Sequence, residues 1–135
     1  MHITVVTPEK TILDQEADEL IVPTTAGQIT ILPHHVPLFT QLAEGEIIIK
    51  LHGRDEQLVV VGGFLEVNEK SITVLADYAV HGKDISAAKA EEAKQRAERA
   101  MKEKKSDIDF ATAEAEFRRA LLELKVANKY KKTTR

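Results

Sequence analysis

Cysteine is absent from this chain of 135 residues, so neither a disulfide framework nor a thiolate metal site can form, and the usage fits a reducing compartment. Tryptophan is also absent, and aromatics are sparse, with four Phe and two Tyr. The buried Trp and paired Cys of an immunoglobulin domain are therefore excluded. Long apolar runs are missing too. Ile47-Ile48-Ile49 is typical of the longest aliphatic stretches, far short of the ~20 residues that cross a bilayer. The first residues, Met1-His2-Ile3-Thr4-Val5, carry no basic segment leading into an apolar one, so no secretory leader is expected. A soluble protein, not inserted in a bilayer, is the expectation.

Two further absences are local. All six glycines, all four prolines and all five histidines lie at or before Gly82. The charge changes sign at the same place. Residues 1–82 carry 4 Lys/Arg against 12 Asp/Glu, a balance of −8, whereas residues 83–135 carry 15 against 10, a balance of +5, which together give the net −3. The sequence thus predicts two domains, 1–82 and 83–135. The basic part either meets an acidic surface or is simply a solvated Lys-rich face.

What is present before Gly82 is a series of short β-branched runs, broken roughly every 8–12 residues by turn formers. Strands are expected at Ile3–Thr7, ended by Pro8, then at Lys10–Asp14, Ala17–Val22 (closed by Pro23) and Gln28–Ile31. Glu46–Leu51 and Gln57–Val61 flank His52-Gly53-Arg54-Asp55 as a hairpin. Gly62-Gly63 permits a bend before Phe64–Val67, and Ile72–Ala76 is the last expected strand. The fold class predicted is α+β: an N-terminal antiparallel β-sandwich, then a C-terminal antiparallel two-helix hairpin. Its β core is expected to be Val, Ile and Leu, with Phe39 and Phe64.

Beyond Gly82, Asp84 reads as an N-cap for a helix reaching about Lys104, with Ala90, Ala93, Ala97 and Ala100 as one stripe. Lys102–Lys105 is a polar connection. Ser106 or Asp107 caps a second helix whose apolar face is Phe110, Ala113, Phe117, Leu121 and Leu124. Alanine lets helices approach closely but removes little apolar area from water, at ~25 cal/mol per Å². Ala, Glu, Lys, Arg and Gln meanwhile favour the helix itself. Two readings remain open: a static hairpin, or a bistable arm that would span about 65 Å if its helices were laid end to end at ~1.5 Å per residue.

No catalytic constellation is present. His34 and His35, held between Pro33 and Pro37, read as an extended loop whose neighbouring side chains point apart, not as a metal pair. Phosphate-loop, dinucleotide and nucleophile-elbow motifs are missing. Arg96, Arg99, Arg118 and Arg119 form either an anion site where the helices face each other or solvated surface charge. Near the end, Tyr130 is the one stacking group beside Lys129, Lys131, Lys132 and Arg135, too little for a nucleic-acid surface.

Gly27-Gln28-Ile29-Thr30-Ile31-Leu32-Pro33-His34-His35-Val36-Pro37-Leu38, Val61-Gly62-Gly63-Phe64-Leu65-Glu66-Val67, Val74-Leu75-Ala76-Asp77 and Asp107-Ile108-Asp109-Phe110 resemble the epsilon subunit of bacterial F-type ATP synthases over nearly the whole chain. The resemblance implies a non-catalytic rotor subunit, peripheral on the cytoplasmic face of the bacterial plasma membrane. Its sandwich would be held by the gamma subunit and rest on the c-ring through Gly27, Leu32, Pro33, His34, His35 and Pro37. Its hairpin would fold on the sandwich in a permissive state. Extended, it would reach the alpha/beta head and oppose ATP hydrolysis through Arg96, Arg99, Arg118, Arg119 and Lys125. Some bacterial members bind ATP through a motif like Ile-Asp-x-x-Arg-Ala and later arginines. Here Ser86 and Lys89 stand at the acid and arginine positions, Arg96 and Arg119 match later arginines, and Glu123 replaces another. The resemblance therefore implies no cofactor, with ATP at most a weak regulatory ligand. Other classes are a free-standing adaptor or chaperone gripping clients with its hairpin, and a small nucleotide-sensing module.

Overall fold

The computed structural model describes residues 1–103 and 106–133, with side chains through Tyr130. The chain divides into two compact units, Met1–His81 and Gly82–Arg135.

The first unit holds eight strands: β1 (His2–Val6), β2 (Thr11–Glu16), β3 (Glu19–Thr24), β4 (Gly27–Ile31), β5 (Leu38–Gln41), β6 (Gly45–Leu51), β7 (Arg54–Val67) and β8 (Ser71–His81). They hydrogen-bond in the order β2-β1-β8-β7-β6-β3-β4, with β5 also on β7. All pairs are antiparallel except β1 with β8. The chain turns between β6 and β7 at His52-Gly53, where φ is +52° and +77°. Positive φ at both central residues matches the twist of a tight two-residue hairpin.

One continuous sheet becomes two layers by creasing at Gly62-Gly63. Before the crease Leu58 and Val60 of β7 point into the core; after it Leu65 and Val67 do, so the inward parity has changed. The facing segment changes parity likewise, from Leu42 to Ile47 and Ile49. Gly62 and Gly63 have φ +66° and +106°, and a Cβ on Gly63 would collide with the Leu75 carbonyl. The layers close over Ile3, Leu20, Ile31, Leu42, Ile47, Leu58 and Leu65, each at most 2% exposed. Burial of such side chains stabilises by about 1.5–3 kcal/mol apiece.

Several strand expectations are corrected. Pro23 does not end β3; it lies past Glu19–Ile21, the part paired with β6, where no N–H is asked of it. The two runs about Gly62-Gly63 are one strand, because the crease leaves their pairing with β8 in register. β5 was not foreseen. Phe39 and Phe64 are not core: they are 65% and 45% exposed.

In the second unit a 3₁₀ turn, Gly82–Asp84, precedes α1 (Ala87–Glu103) and α2 (Asp107–Thr133). Ser86, not Asp84, caps α1, its Oγ accepting the Lys89 N–H at 3.2 Å. Ser106 caps α2 the same way for Asp109 at 3.0 Å. Lys102 is helical rather than connecting, and Lys104 and Lys105 lie outside the described residues. The helices run antiparallel: Ala100 and Glu103 face Asp109–Glu116, while Ala93 and Arg96 face Glu116–Glu123.

Alanines buried at heptad spacing form the seam, Ala90 and Ala97 on α1 with Ala113, Ala120 and Ala127 on α2, all at most 5% exposed. Of the apolar face expected for α2 only Ala113 is buried; Phe110, Phe117 and Leu124 are half-buried, and Leu121 is 42% exposed. Ala100 is likewise exposed. Among the described residues, no helix is long and apolar enough to cross a membrane.

Candidate functional site

The loop between β4 and β5 carries the residues singled out from sequence. It is a turn rather than an extended segment. The His35 N–H donates to the Leu32 carbonyl at 3.2 Å, and His34 takes φ +69°. A left-handed conformation at a residue with a Cβ costs on the order of 1 kcal/mol, which the flanking prolines and the turn bond help to hold. The His35 Nδ1 lies 2.7 Å from the Val36 carbonyl, so this nitrogen bears the proton and donates. Leu32 and Val36 are 54% and 71% exposed. Gly27, Pro33, His34 and Pro37 are exposed as well. The loop therefore presents two aliphatic side chains and an imidazole on a braced backbone. Among the described residues no cluster of three metal-ligating groups occurs.

Immediately after this loop the chain enters β5 and places Phe39 on the outer face of its layer. Val6, Leu75 and Phe64 form one row across β1, β8 and β7 on that face. The Phe39 and Phe64 rings stack with centroids 5.5 Å apart. Leu75 is 47% exposed. Sequence reasoning missed this band, although the alternation with buried Leu65, Val67, Val74 and Ala76 marks Phe64 and Leu75 as outward.

On the helices, Arg96 of α1 and Arg119 of α2 line one cleft of about 350 Å³ with Ala93, Glu116, Ala120 and Glu123. The Arg119 Nε donates to Glu123 at 3.3 Å. Ser86 and Lys89 are not part of the cleft. Lys89 lies seven residues before Arg96, about 10 Å along the helix, and Ser86 is occupied as a cap. Arg99 and Lys125 are exposed outside it, and Arg118 bonds Glu114 at 3.2 Å one turn away. The cleft brings two arginines together but balances them with two carboxylates, so its charge does not favour an anion strongly.

The profile described as ATP synthase, Delta/Epsilon chain, beta-sandwich domain matches residues 1–82, and that described as ATP synthase, Delta/Epsilon chain, long alpha-helix domain matches residues 83–128. The chain belongs to the ATP synthase delta/epsilon chain family. A protein named ATP synthase epsilon chain from Caldanaerobacter subterraneus subsp. tengcongensis is 41% identical over 130 residues, 96% of this chain and 94% of the relative. One of the same name from Herminiimonas arsenicoxydans is 44% identical over 126 residues, 92% and 90% of the two chains. Among solved structures, a chain of the Euglena gracilis mitochondrial ATP synthase (OSCP/F1/c-ring) superposes with a TM-score of 0.72 at 23% identity, covering 98% of this chain and 80% of that one. A chain of the Tetrahymena thermophila mitochondrial ATP synthase central stalk and c-ring gives 0.54 at 17% identity, covering 64% and 70%. At those identities the structural likeness speaks for the fold alone. Delta/epsilon family membership rests on the two profiles and the epsilon-chain relatives.

Proposed function

We propose that this member of the delta/epsilon family is a non-catalytic central-stalk subunit of an F-type ATP synthase, peripheral on the cytoplasmic face of the bacterial plasma membrane. Residues 1–82 anchor it to the gamma subunit and the c-ring, and residues 83–135 restrain ATP hydrolysis by extending toward the alpha/beta head. The observation that carries the anchoring role is the solvent-facing band of Val6, Leu75, Phe64 and Phe39 beside the braced Leu32–Val36 loop. Aromatic side chains left in water on a flat sheet face suit a permanent protein partner.

The restraining role draws support from the alanine seam. Small side chains bury little apolar area per contact, so opening the hairpin forfeits little packing while each helix keeps its intrinsic propensity. Arg96, Arg99, Arg118, Arg119 and Lys125 then supply charge toward acidic segments of the head. ATP is at most a weak ligand of this arm, since Glu116 and Glu123 share the arginine cleft.

Co-expression with the gamma subunit tests the reading, with a stable complex expected. A free-standing adaptor would give none. In the assembled enzyme, deletion of residues 84–135 is expected to preserve assembly and raise ATP hydrolysis. Unchanged hydrolysis would remove the restraining role while leaving the anchoring role standing.

A further inference from the structure

His81 is the last residue of β8 and of the first unit. It pairs with Leu58, a core residue, and so points inward between the two layers. There its ring lies between two acceptors. Nε2 is 2.9 Å from the carbonyl oxygen of Ile12 on β2, and Nδ1 is 2.9 Å from a carboxylate oxygen of Glu56 on β7. The Nδ1 contact is an ion-pair approach without an aligned hydrogen bond. The His81 side chain is only 19% exposed.

The Ile12 carbonyl is available for a reason. The β1–β2 ladder steps from Val5–Leu13 to Val6–Thr11, so Ile12 is the extra residue of a bulge and has no partner in the ladder. A neutral imidazole owns one N–H and can serve the carbonyl or the carboxylate; only the imidazolium serves both. Glu56 is the charged group that faces the ring from β7. On β2, Asp14 and Glu16 are engaged with His2, and Arg54, Asp55, Lys83 and Asp84 are exposed.

We propose that His81 is a proton-operated latch for the end of β8. Protonated, it ties β8 to the Ile12 bulge and to Glu56 at once. Neutral, it releases one of these ties, and the strand end that leads into Gly82 loosens. Proton uptake thereby sets how firmly the end of β8 is held on β2 and β7. The inference stands apart from the rotor reading, because it concerns the isolated chain.

Amide hydrogen exchange of residues 79–82 in the full chain between pH 5.5 and 8.5, corrected for intrinsic chemistry, is the test. His81 ring titration is followed by NMR in parallel. Protection is expected to fall about threefold as the ring loses its proton, the scale of one partly exposed ion pair. His81→Gln should remove the pH dependence, and Glu56→Gln should shrink it if the first variant fails to fold. His2→Gln should leave it intact. Flat protection in the unaltered chain, a ring that does not titrate in this range, or unaltered pH dependence in both the His81 and Glu56 variants would overturn the proposal.

Discussion

The rings of Phe39 and Phe64 stack with their planes 14° apart and centroids 5.5 Å apart on the outer face of the sandwich, while both remain substantially in water. Aromatic pairs add about 0.5–1.5 kcal/mol beyond area burial, so the pair holds its own shape and presents a preformed platform. Replacing both by serine is expected to weaken gamma-subunit binding at least about tenfold, on the scale of an interface hot spot. The stability read from urea unfolding should fall by no more than about 1–3 kcal/mol, the loss of the stacked pair and of the partly covered Phe64 ring, with the sandwich still folded. Binding that survives the double substitution would place the gamma contact elsewhere.

Gly63→Ala should damage the sandwich itself. The residue has φ +106°, and a Cβ would collide with the Leu75 carbonyl. Backbone strain and overpacking together are expected to cost about 2–5 kcal/mol. Urea unfolding of the full chain measures it, and a loss below about 1 kcal/mol would mean that the crease yields.

Ala120→Leu should separate the helices without melting them. Ala120 is 2% exposed in the seam opposite α1, and leucine is as good a helix former as the position needs. Overpacking of about 1–3 kcal/mol is expected to act on the contact between helices. Circular dichroism should retain its helical signal, while the spin-label distance between positions 94 and 125 lengthens. An unchanged distance would show that the seam accommodates the larger side chain.

His2 sets a pH dependence at the β1–β2 edge. Its Nδ1 bonds Glu16 at 2.9 Å and its Nε2 bonds Asp14. The Glu16 bond, then the Asp14 bond, raises its pKa above the ordinary 6.5. The His2 bond in turn lowers the Glu16 carboxyl below 4.5. A raised histidine contributes stability that is complete below pH 6.5 and fades as pH rises through the raised value. A lowered carboxyl contributes above pH 4.5 and is lost as pH falls through its depressed value. Both contributions are therefore present between pH 4.5 and 6.5. NMR titration should place the His2 midpoint above that of His2 in an Asp14→Asn, Glu16→Gln variant. Equal midpoints would contradict the geometry.

The arginine cleft predicts poor nucleotide affinity. Calorimetry of the full chain with ATP is expected to give no saturation at micromolar concentrations. Substituting Glu116→Gln and Glu123→Gln should strengthen any binding, since both acids line the cleft with Arg96 and Arg119. A micromolar dissociation constant for the unaltered chain would reject this.

The candidate surfaces were legible in part. The Leu32–Pro37 segment was legible as a loop because its prolines are local signals, and its candidacy as a contact surface came from the family resemblance. Its positive φ at His34 was not legible, because an L-residue reveals no such conformation until the turn around it closes. Hydrophobicity alone puts Phe39 and Phe64 in the core, yet the crease at Gly62-Gly63 decides which parity faces inward. In α2 the spacing put Phe110, Ala113, Phe117, Leu121 and Leu124 on one apolar face, whereas the packing buries Ala120 and Ala127 beside Ala113 and leaves Leu121 exposed.

The amino-acid order alone determined the strand-rich first part, a hairpin connection within His52–Asp55, which the structure narrows to His52-Gly53, and two helices after the last glycine. Each of these follows from neighbours within a few residues: period-2 alternation, positive-φ turn formers and helix propensity. Tertiary structure decided everything that depends on pairing across distance. It set the parity change that exposes the aromatic platform, the alanine seam and the bulge that turns the Ile12 carbonyl toward His81. The physical reason is that register and layer are fixed by which distant strand or helix a segment meets, and no local propensity encodes that partner.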